Sequence, residues 1–198
     1  MISYGHKFAV AALVGTFAIF AEQSQPGLVH VVIETSLGTI EADLDSANAP
    51  GTVTNFLRYV DARRYDGGRF HRTVRLDNQP DNDVKIEVIQ GGTLRAPGAQ
   101  SWPAIELERT TVTNITHGDG VLSMARGGPN TATSDFFITI GPQHALDYGG
   151  KRNADGQGFA AFGKVTKGAL VVRAIQNSTA TAQNLTPPVT IVRISRKK

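Results

Sequence analysis

The stretch "RFHRTVRLDNQPDNDVKIEVIQGG", residues 69–92, places Arg72 and Gln90 on two β-branched runs separated by a polar loop. Arginine brings a permanent charge and five N–H donors in a rigid fork, and glutamine an amide that both donates and accepts. Such a pair does hydrogen-bond and charge chemistry, and the usual partners for other chemistry are missing. The chain has no cysteine, which excludes thiolate catalysis, disulfides and Cys-bound zinc together. Its five histidines, at 6, 30, 71, 117 and 144, form neither an H-x-H nor an H-E-x-x-H pair, so no metal is expected. Ser123 and Ser134 both lack the G-x-S-x-G elbow of a serine hydrolase. A hydrolase would have to bring Ser134, His71 and an acid together from separate segments, whereas His71, flanked by Phe70 and Arg72, reads as a structural histidine. The "GGPN" at 127–130 has no helix after it and no Lys-Ser/Thr pair, so it is a poor phosphate loop.

The elements that must position Arg72 and Gln90 follow from periodicity. In "LVHVVIETSLGTIEADLD" the residues Val29, Val31 and Ile33 alternate onto one face, as do Ile40, Ala42 and Leu44, which predicts a half-buried hairpin. Pro50 suits a first helical turn, and Val53, Phe56, Leu57 and Val60 then make an apolar stripe at helical spacing. Short apolar runs follow, "RFHRTV", "VKIEVIQGG", "GVLSMA", "DFFITI" and "FAAFGKV", each bounded by turn residues, which favours an antiparallel sandwich or barrel. A second helix fits "KGALVVRAIQNS", with Leu170, Val171, Ala174 and Ile175 as its apolar face, and "PPVTIVRISRKK" supplies a last strand.

At 198 residues the chain suits one domain plus an extension. In residues 1–21, Lys7 precedes an apolar run from Phe8 to Ala21, as in an export signal, and the run is short of the roughly 20 apolar residues that a spanning helix needs. Ala21 suits cleavage while Ile19 departs from A-x-A, which leaves a removable signal peptide and a retained membrane anchor both open. Residues 22–27, "EQSQPG", read as a linker, and 28–198 as the folded domain. The expected location is the periplasm or the cell exterior, with membrane contact through the leader alone. The net charge of +3 is scattered, and only the terminal "SRKK" clusters basic residues, without aromatics to stack on bases, so no nucleic-acid partner is expected.

"FHRTV", "IQGG", "GVLSMARGGPNTATSDFFI" and "GFAAFGKV", in that order, resemble the signature segments of the cyclophilin family of peptidyl-prolyl cis-trans isomerases, from about Leu28 to Ile194. The resemblance implies a mainly β fold, an eight-stranded antiparallel closed barrel capped by two α-helices, with the active groove on its outer face. It implies no cofactor and no metal, proline-containing unfolded or extended polypeptides as substrates, and a monomer. By resemblance Arg72 is the catalytic residue. Gln90 would bind the substrate backbone and hold Arg72, Phe137 would floor the proline pocket with Leu146 and Met124 at its wall, and Phe70 would support that wall. Val88 joins the same binding set, and Ala125, Arg126 and Gly127 match the segment that lies along the substrate.

Several positions depart from the family pattern. Glu87 and Val88 stand where Phe and Met are common, Asp135 where Gln is, Ala145 where Trp is and Phe159 where His is, and "DYGGKRNADGQG" lengthens the loop after Leu146. Two acids near the groove keep an alternative in play, a proline-docking chaperone or scaffold in which Glu87 or Asp135 draws Arg72 away from substrate.

Overall fold

Alternation in the opening hairpin has the expected consequence. In the computed structural model, which describes residue 1, residues 27–94 and residues 102–197, β1 (Leu28–Thr35) pairs antiparallel with β2 (Gly38–Asp45), matching Val31 to Ala42 and Ile33 to Ile40. All four side chains are buried. Beyond Met1, the proposed leader and all but the last residue of the linker lie outside the described residues.

The remaining strands are β3 (Arg69–Val74), β4 (Val88–Gly92), β5 (Val121–Met124), β6 (Phe136–Thr139), β7 (Ala161–Lys167), the two-residue β8 (Ala180–Thr181) and β9 (Asn184–Arg196). Every pairing is antiparallel. The order β1-β2-β7-β5-β6-β4-β3-β9 closes through a β1–β9 pairing, so eight strands form a barrel without a free edge, and β8 is added beside β9. The fold is the mainly β, eight-stranded closed barrel that the motifs imply.

Two helices lie where the periodicity predicts them, α1 (Pro50–Asp61) and α3 (Ala169–Gln176), and a one-turn α2 (Thr110–Thr113) is added. No side chain caps α1 locally; instead the Glu108 carboxylate accepts from the main-chain N–H groups of Gly51 and Thr52 at 2.9 and 2.8 Å. A carboxylate there satisfies two orphan donors and faces the positive end of the helix dipole. The predicted stripe of α1 is buried as expected, whereas α3 buries Val172, Ile175 and Gln176 and leaves Leu170 83% exposed. Its rotation is set at the start. Gly168, at φ +87°, is pressed so tightly onto β2 that a Cβ there would lie 2.3 Å from the Thr39 carbonyl oxygen. The strand expected from Val84 begins only at Val88, because Ile86 makes its main-chain bonds with the Gln79 side chain, at 3.2 and 2.8 Å, and not with a neighbouring strand.

Among the described residues, most of the buried apolar side chains fall into two clusters. The larger fills the barrel, where Phe56 packs on Tyr65, Phe136 and Phe162 with ring centroids 5.1–5.4 Å apart. The smaller, built from Val74, Ile86, Val88, Phe137 and Leu146, lies outside the barrel wall. Adjacent residues of β6 divide between them, Phe136 pointing in and Phe137 out, as strand geometry requires.

Candidate functional site

The outer cluster is the floor of a groove of about 320 Å³, in the size range of small ligand sites. Strand pairing assembles it. Arg72 on β3 lies opposite Gln90 on β4, Gln90 lies opposite Phe137 on β6, and β5 beside β6 runs on into Ala125 and Arg126.

A bulge in β3 places Arg72. Phe70 pairs with Gly91 and Arg72 with Gln90, leaving His71 as the extra residue. Without it Phe70 and Arg72 would share a face; with it Phe70 is wholly buried in the barrel while Arg72 turns to the groove. The guanidinium is then held at three points: Nη1 donates to Gln90 Oε1 at 2.9 Å, and Nε and Nη2 donate to Gln183 Oε1 at 2.9 and 2.6 Å. Both acceptors are neutral amides, so among the described residues no carboxylate compensates the positive charge. Burial lowers the Arg72 pKa, yet an arginine so shifted remains charged at physiological pH.

Of the residues singled out by sequence, Arg72, Val88, Gln90, Ala125, Arg126, Phe137 and Leu146 line this groove. Phe70 and Met124 do not; both belong to the barrel interior. Met124 precedes Ala125 by one residue, and alternation sends it inward with Leu122 while Ser123 and Ala125 face out. Gly127 lies past the strand, its N–H already donated to Thr131 Oγ1 at 3.1 Å. The Arg126 main-chain N–H, by contrast, has no partner among the described residues, as a segment that pairs with an extended ligand requires.

The departures from the family pattern have definite places. Glu87 accepts from Gln176 Nε2 at 3.0 Å, and the Asp135 carboxylate packs over Gly92. Ala145 packs against the outer cluster, and Phe159 meets Phe137 edge-on at 5.3 Å. The segment 147–158 is pinned back on itself through Gly149 N–H to Gly156 O at 2.8 Å and Arg152 N–H to Ala145 O at 3.2 Å. Gly158, at φ +67°, lets it return, since a Cβ there would lie 2.6 Å from the Asp147 carbonyl carbon. Through this turn Arg152, Asn153 and Phe159 reach the groove.

Sequence reasoning also missed what lies behind the floor. His117, fully buried, stacks on Phe137 at 5.9 Å. Its Nδ1 donates to Asp147 Oδ1 at 2.7 Å and its Nε2 bonds Ser123 Oγ at 2.9 Å. Burial pushes the Asp147 carboxyl up, but the hydrogen bonds from the His117 ring and main chain outweigh it and hold the group below the ordinary 3.8. A serine, a histidine and an aspartate are thus in line, and they differ from the Ser134, His71 and acid weighed from sequence. Ser123 is fully buried, so no substrate reaches its hydroxyl. The array is a polar brace for Phe137. Among the described residues no three of His, Cys, Asp and Glu gather where they could hold a metal ion.

Residues 30–196 match the family model for cyclophilin type peptidyl-prolyl cis-trans isomerase/CLD. Among curated proteins, the chain is 35% identical over 147 residues to peptidyl-prolyl cis-trans isomerase cyp18 of Streptomyces antibioticus, a match covering 74% of this chain and 82% of that one. It is 38% identical over 146 residues to peptidyl-prolyl cis-trans isomerase-like 1 of Neurospora crassa, covering 72% and 78%. Among solved structures, a Cryptosporidium parvum cyclophilin type peptidyl-prolyl cis-trans isomerase superposes with a TM-score of 0.70 at 22% identity, covering 86% of this chain and 98% of that one.

Proposed function

The chain belongs to the cyclophilin-type peptidyl-prolyl cis-trans isomerases, enzymes that accelerate rotation about X-Pro bonds, and from that premise we propose that Arg72 carries the catalysis in the groove described above. The reaction needs no nucleophile because no bond breaks. Amide resonance gives the peptide bond a barrier of about 18–20 kcal/mol, and uncatalysed X-Pro exchange takes tens to hundreds of seconds. In the twisted state resonance is lost and the prolyl nitrogen gains a lone pair. A donor aimed at that lone pair binds the twisted state better than either planar ground state.

The observation that carries this reading is the clamp on Arg72. Three of its five N–H groups are taken by Gln90 and Gln183, which fixes the guanidinium plane and leaves two donors for substrate. Phe137, Val88 and Leu146 offer an apolar seat for the pyrrolidine ring, and the open Arg126 N–H holds the extended chain beside it. Proline-containing unfolded or extended polypeptides fit such a groove. A docking module without turnover is not favoured, since Glu87 is engaged by Gln176 and the acceptors on Arg72 carry no charge.

The test is the exchange rate of an Ala-Pro peptide, followed by NMR, with the full chain and its Arg72→Ala variant. The variant is expected to lose roughly 100-fold to 1,000-fold in kcat/KM, the range seen when a transition-state donor is removed. Retention of most of the rate would assign the chemistry elsewhere.

The apolar run at 8–21 supports export, with the enzyme acting in the periplasm or outside the cell, either released from the leader or anchored by it. The working unit is a monomer. Mass spectrometry of the mature N-terminus and light scattering of the purified protein, against a chain mass of 21.1 kDa, test these two statements.

A further inference from the structure

Two arginines, Arg126 from the barrel and Arg152 from the segment 147–158, bring charge to the groove wall and are held in different ways. Arg126, on the β5 continuation, is met by Asp155 from that segment: Nη1 donates to Oδ2 at 2.7 Å and Nη2 to Oδ1 at 2.9 Å. Its Nε donates to Gly158 O at 2.8 Å, and its guanidinium lies 4.9 Å over the Phe159 ring. Those hydrogen bonds in turn hold the Asp155 carboxyl down at about 2. Arg126 is therefore a neutralised staple between the segment and the barrel.

Among the described residues Arg152 has no such carboxylate. Its Nη1 donates to Gln79 Oε1 at 2.8 Å and to Val84 O at 2.6 Å, both neutral, while its Nε and Nη2 donate to nothing among the described residues. Desolvation and the nearby charge of Arg72 both push its pKa down, and no carboxylate offsets them. The acids closest in sequence to its acceptors, Asp77, Asp81 and Asp83, are exposed on the 76–85 loop, and Glu87 is taken by Gln176. Two guanidinium groups thus share one groove of about 320 Å³, and among the described residues each is held only by neutral acceptors. A staple alone would leave this repulsion standing; an incoming anion relieves it.

We propose that Arg152 is a specificity-determining residue which, with Arg72, selects segments carrying a carboxylate next to the proline. The proposal rests on the reading of this groove as the substrate site and names which substrates it prefers. The carboxylate could be an Asp or Glu side chain or the C-terminus of a peptide ending at the groove. Arg152 offers its free Nε and Nη2 as a fork to it, the geometry in which arginine meets carboxylates.

The experiment uses the full chain and three pairs of short peptides, the first two pairs with both ends blocked. One pair carries Glu or Gln immediately before proline, and a second pair carries Glu or Gln immediately after it. A third pair has Ala on both sides and ends, right after the proline-flanking residue, in a free carboxylate or an amide. Dissociation constants from NMR shifts and exchange rates from the same spectra are measured for the wild type, Arg152→Gln and Arg152→Lys.

In at least one pair the carboxylate peptide should bind roughly fivefold to tenfold more tightly than its neutral counterpart, as suits a half-exposed charge-assisted contact, and the advantage should shrink as salt is raised. The pair that shows it identifies the source of the carboxylate. Arg152→Gln should abolish the ratio, and Arg152→Lys, which keeps the charge but not the fork, should retain part of it. Equal affinities within all three pairs would overturn the proposal, as would a preference that survives in Arg152→Gln. The affinity ratio does not depend on turnover, so a chain that binds selectively but fails to accelerate exchange would sink the catalytic reading and leave this one standing.

Discussion

Phe136 and Phe137 are neighbours on one strand, yet they belong to regions that differ in kind. The barrel interior around Phe136 is an aromatic and aliphatic fill in which Phe56, Tyr65, Phe70 and Phe162 pack ring against ring. The outer cluster around Phe137 is small, and polar side chains hold it from two sides, Arg72 with Gln90 and Gln183 in front and His117 with Ser123 and Asp147 behind. Close packing suffices to fill a closed barrel, since any apolar shape that interdigitates gains the same burial. A groove that is half open to water cannot be fixed by burial alone. Its surfaces are positioned by directional bonds.

This contrast can be broken at several points. The largest effect is expected from Phe136→Ala, which should cost about 3–5 kcal/mol of stability in urea unfolding, as buried aromatic truncations do. Phe137→Ala should cost clearly less in the same measurement and show itself in weaker binding of the Ala-Pro peptide. Equal stability losses would erase the distinction between the two clusters.

Next in size is the brace behind the floor. Asp147→Asn removes the charged acceptor of the buried His117 and should cost about 1–3 kcal/mol. The sign with pH follows from the lowered carboxyl. The stability that Asp147 contributes is complete above its ordinary 3.8 and is lost as pH falls through the still lower folded value. The gap between wild type and variant in unfolding midpoints should therefore narrow in acid. If the Phe137 ring resonances also move in this variant, the groove floor depends on the network behind it. Unmoved resonances would make the brace a matter of stability only.

The smallest effect belongs to a surface network far from either phenylalanine. On the opening hairpin His30 bonds Asp43 and Glu41, and Glu41 also meets Lys167 and Lys197. Hydrogen bonds from His30 and then Lys197 lower the Glu41 carboxyl to about 2. Burial works to lower the His30 pKa, and its bonds to Asp43 and Glu41 raise it overall. The Glu41 contribution is present above 4.5 and fades toward pH 2, while that of His30 is complete below 6.5 and fades as pH rises through its higher folded value. Melting temperatures of wild type and Glu41→Gln should thus differ slightly at pH 5 and converge near pH 2. Exposed pairs of this sort contribute little, so a large difference would mean that the surface does more of the work than either cluster.

How much of this was legible beforehand depended on range. The alternation of Val31, Ile33, Ile40, Ala42 and Leu44 and the helical stripe of α1 state their buried faces within a few residues, and the structure buries them. The face of α3 was read half right: Val171 and Ile175 pack on the core as expected, while Leu170 and Ala174 are exposed and Val172 is buried instead, because eight residues give too short a period to fix the rotation. Phe70 and Met124 were assigned to the groove with their neighbours because family motifs name segments, whereas a bulge at His71 and simple alternation choose sides residue by residue.

By itself the sequence determined the hairpin, the two principal helices, the string of short antiparallel strands, the family, and the Arg72–Gln90 pair at the centre of the groove. Tertiary structure decided the rest of the site. Gln183 grips Arg72 from 111 positions away, His117 reaches Asp147 across 30, and Arg152 enters the groove on a turn that Gly158 makes possible. Periodicity reports what a residue does relative to its own strand or helix. Those arrangements bring together residues far apart along the chain, and their partners were fixed only when the barrel closed.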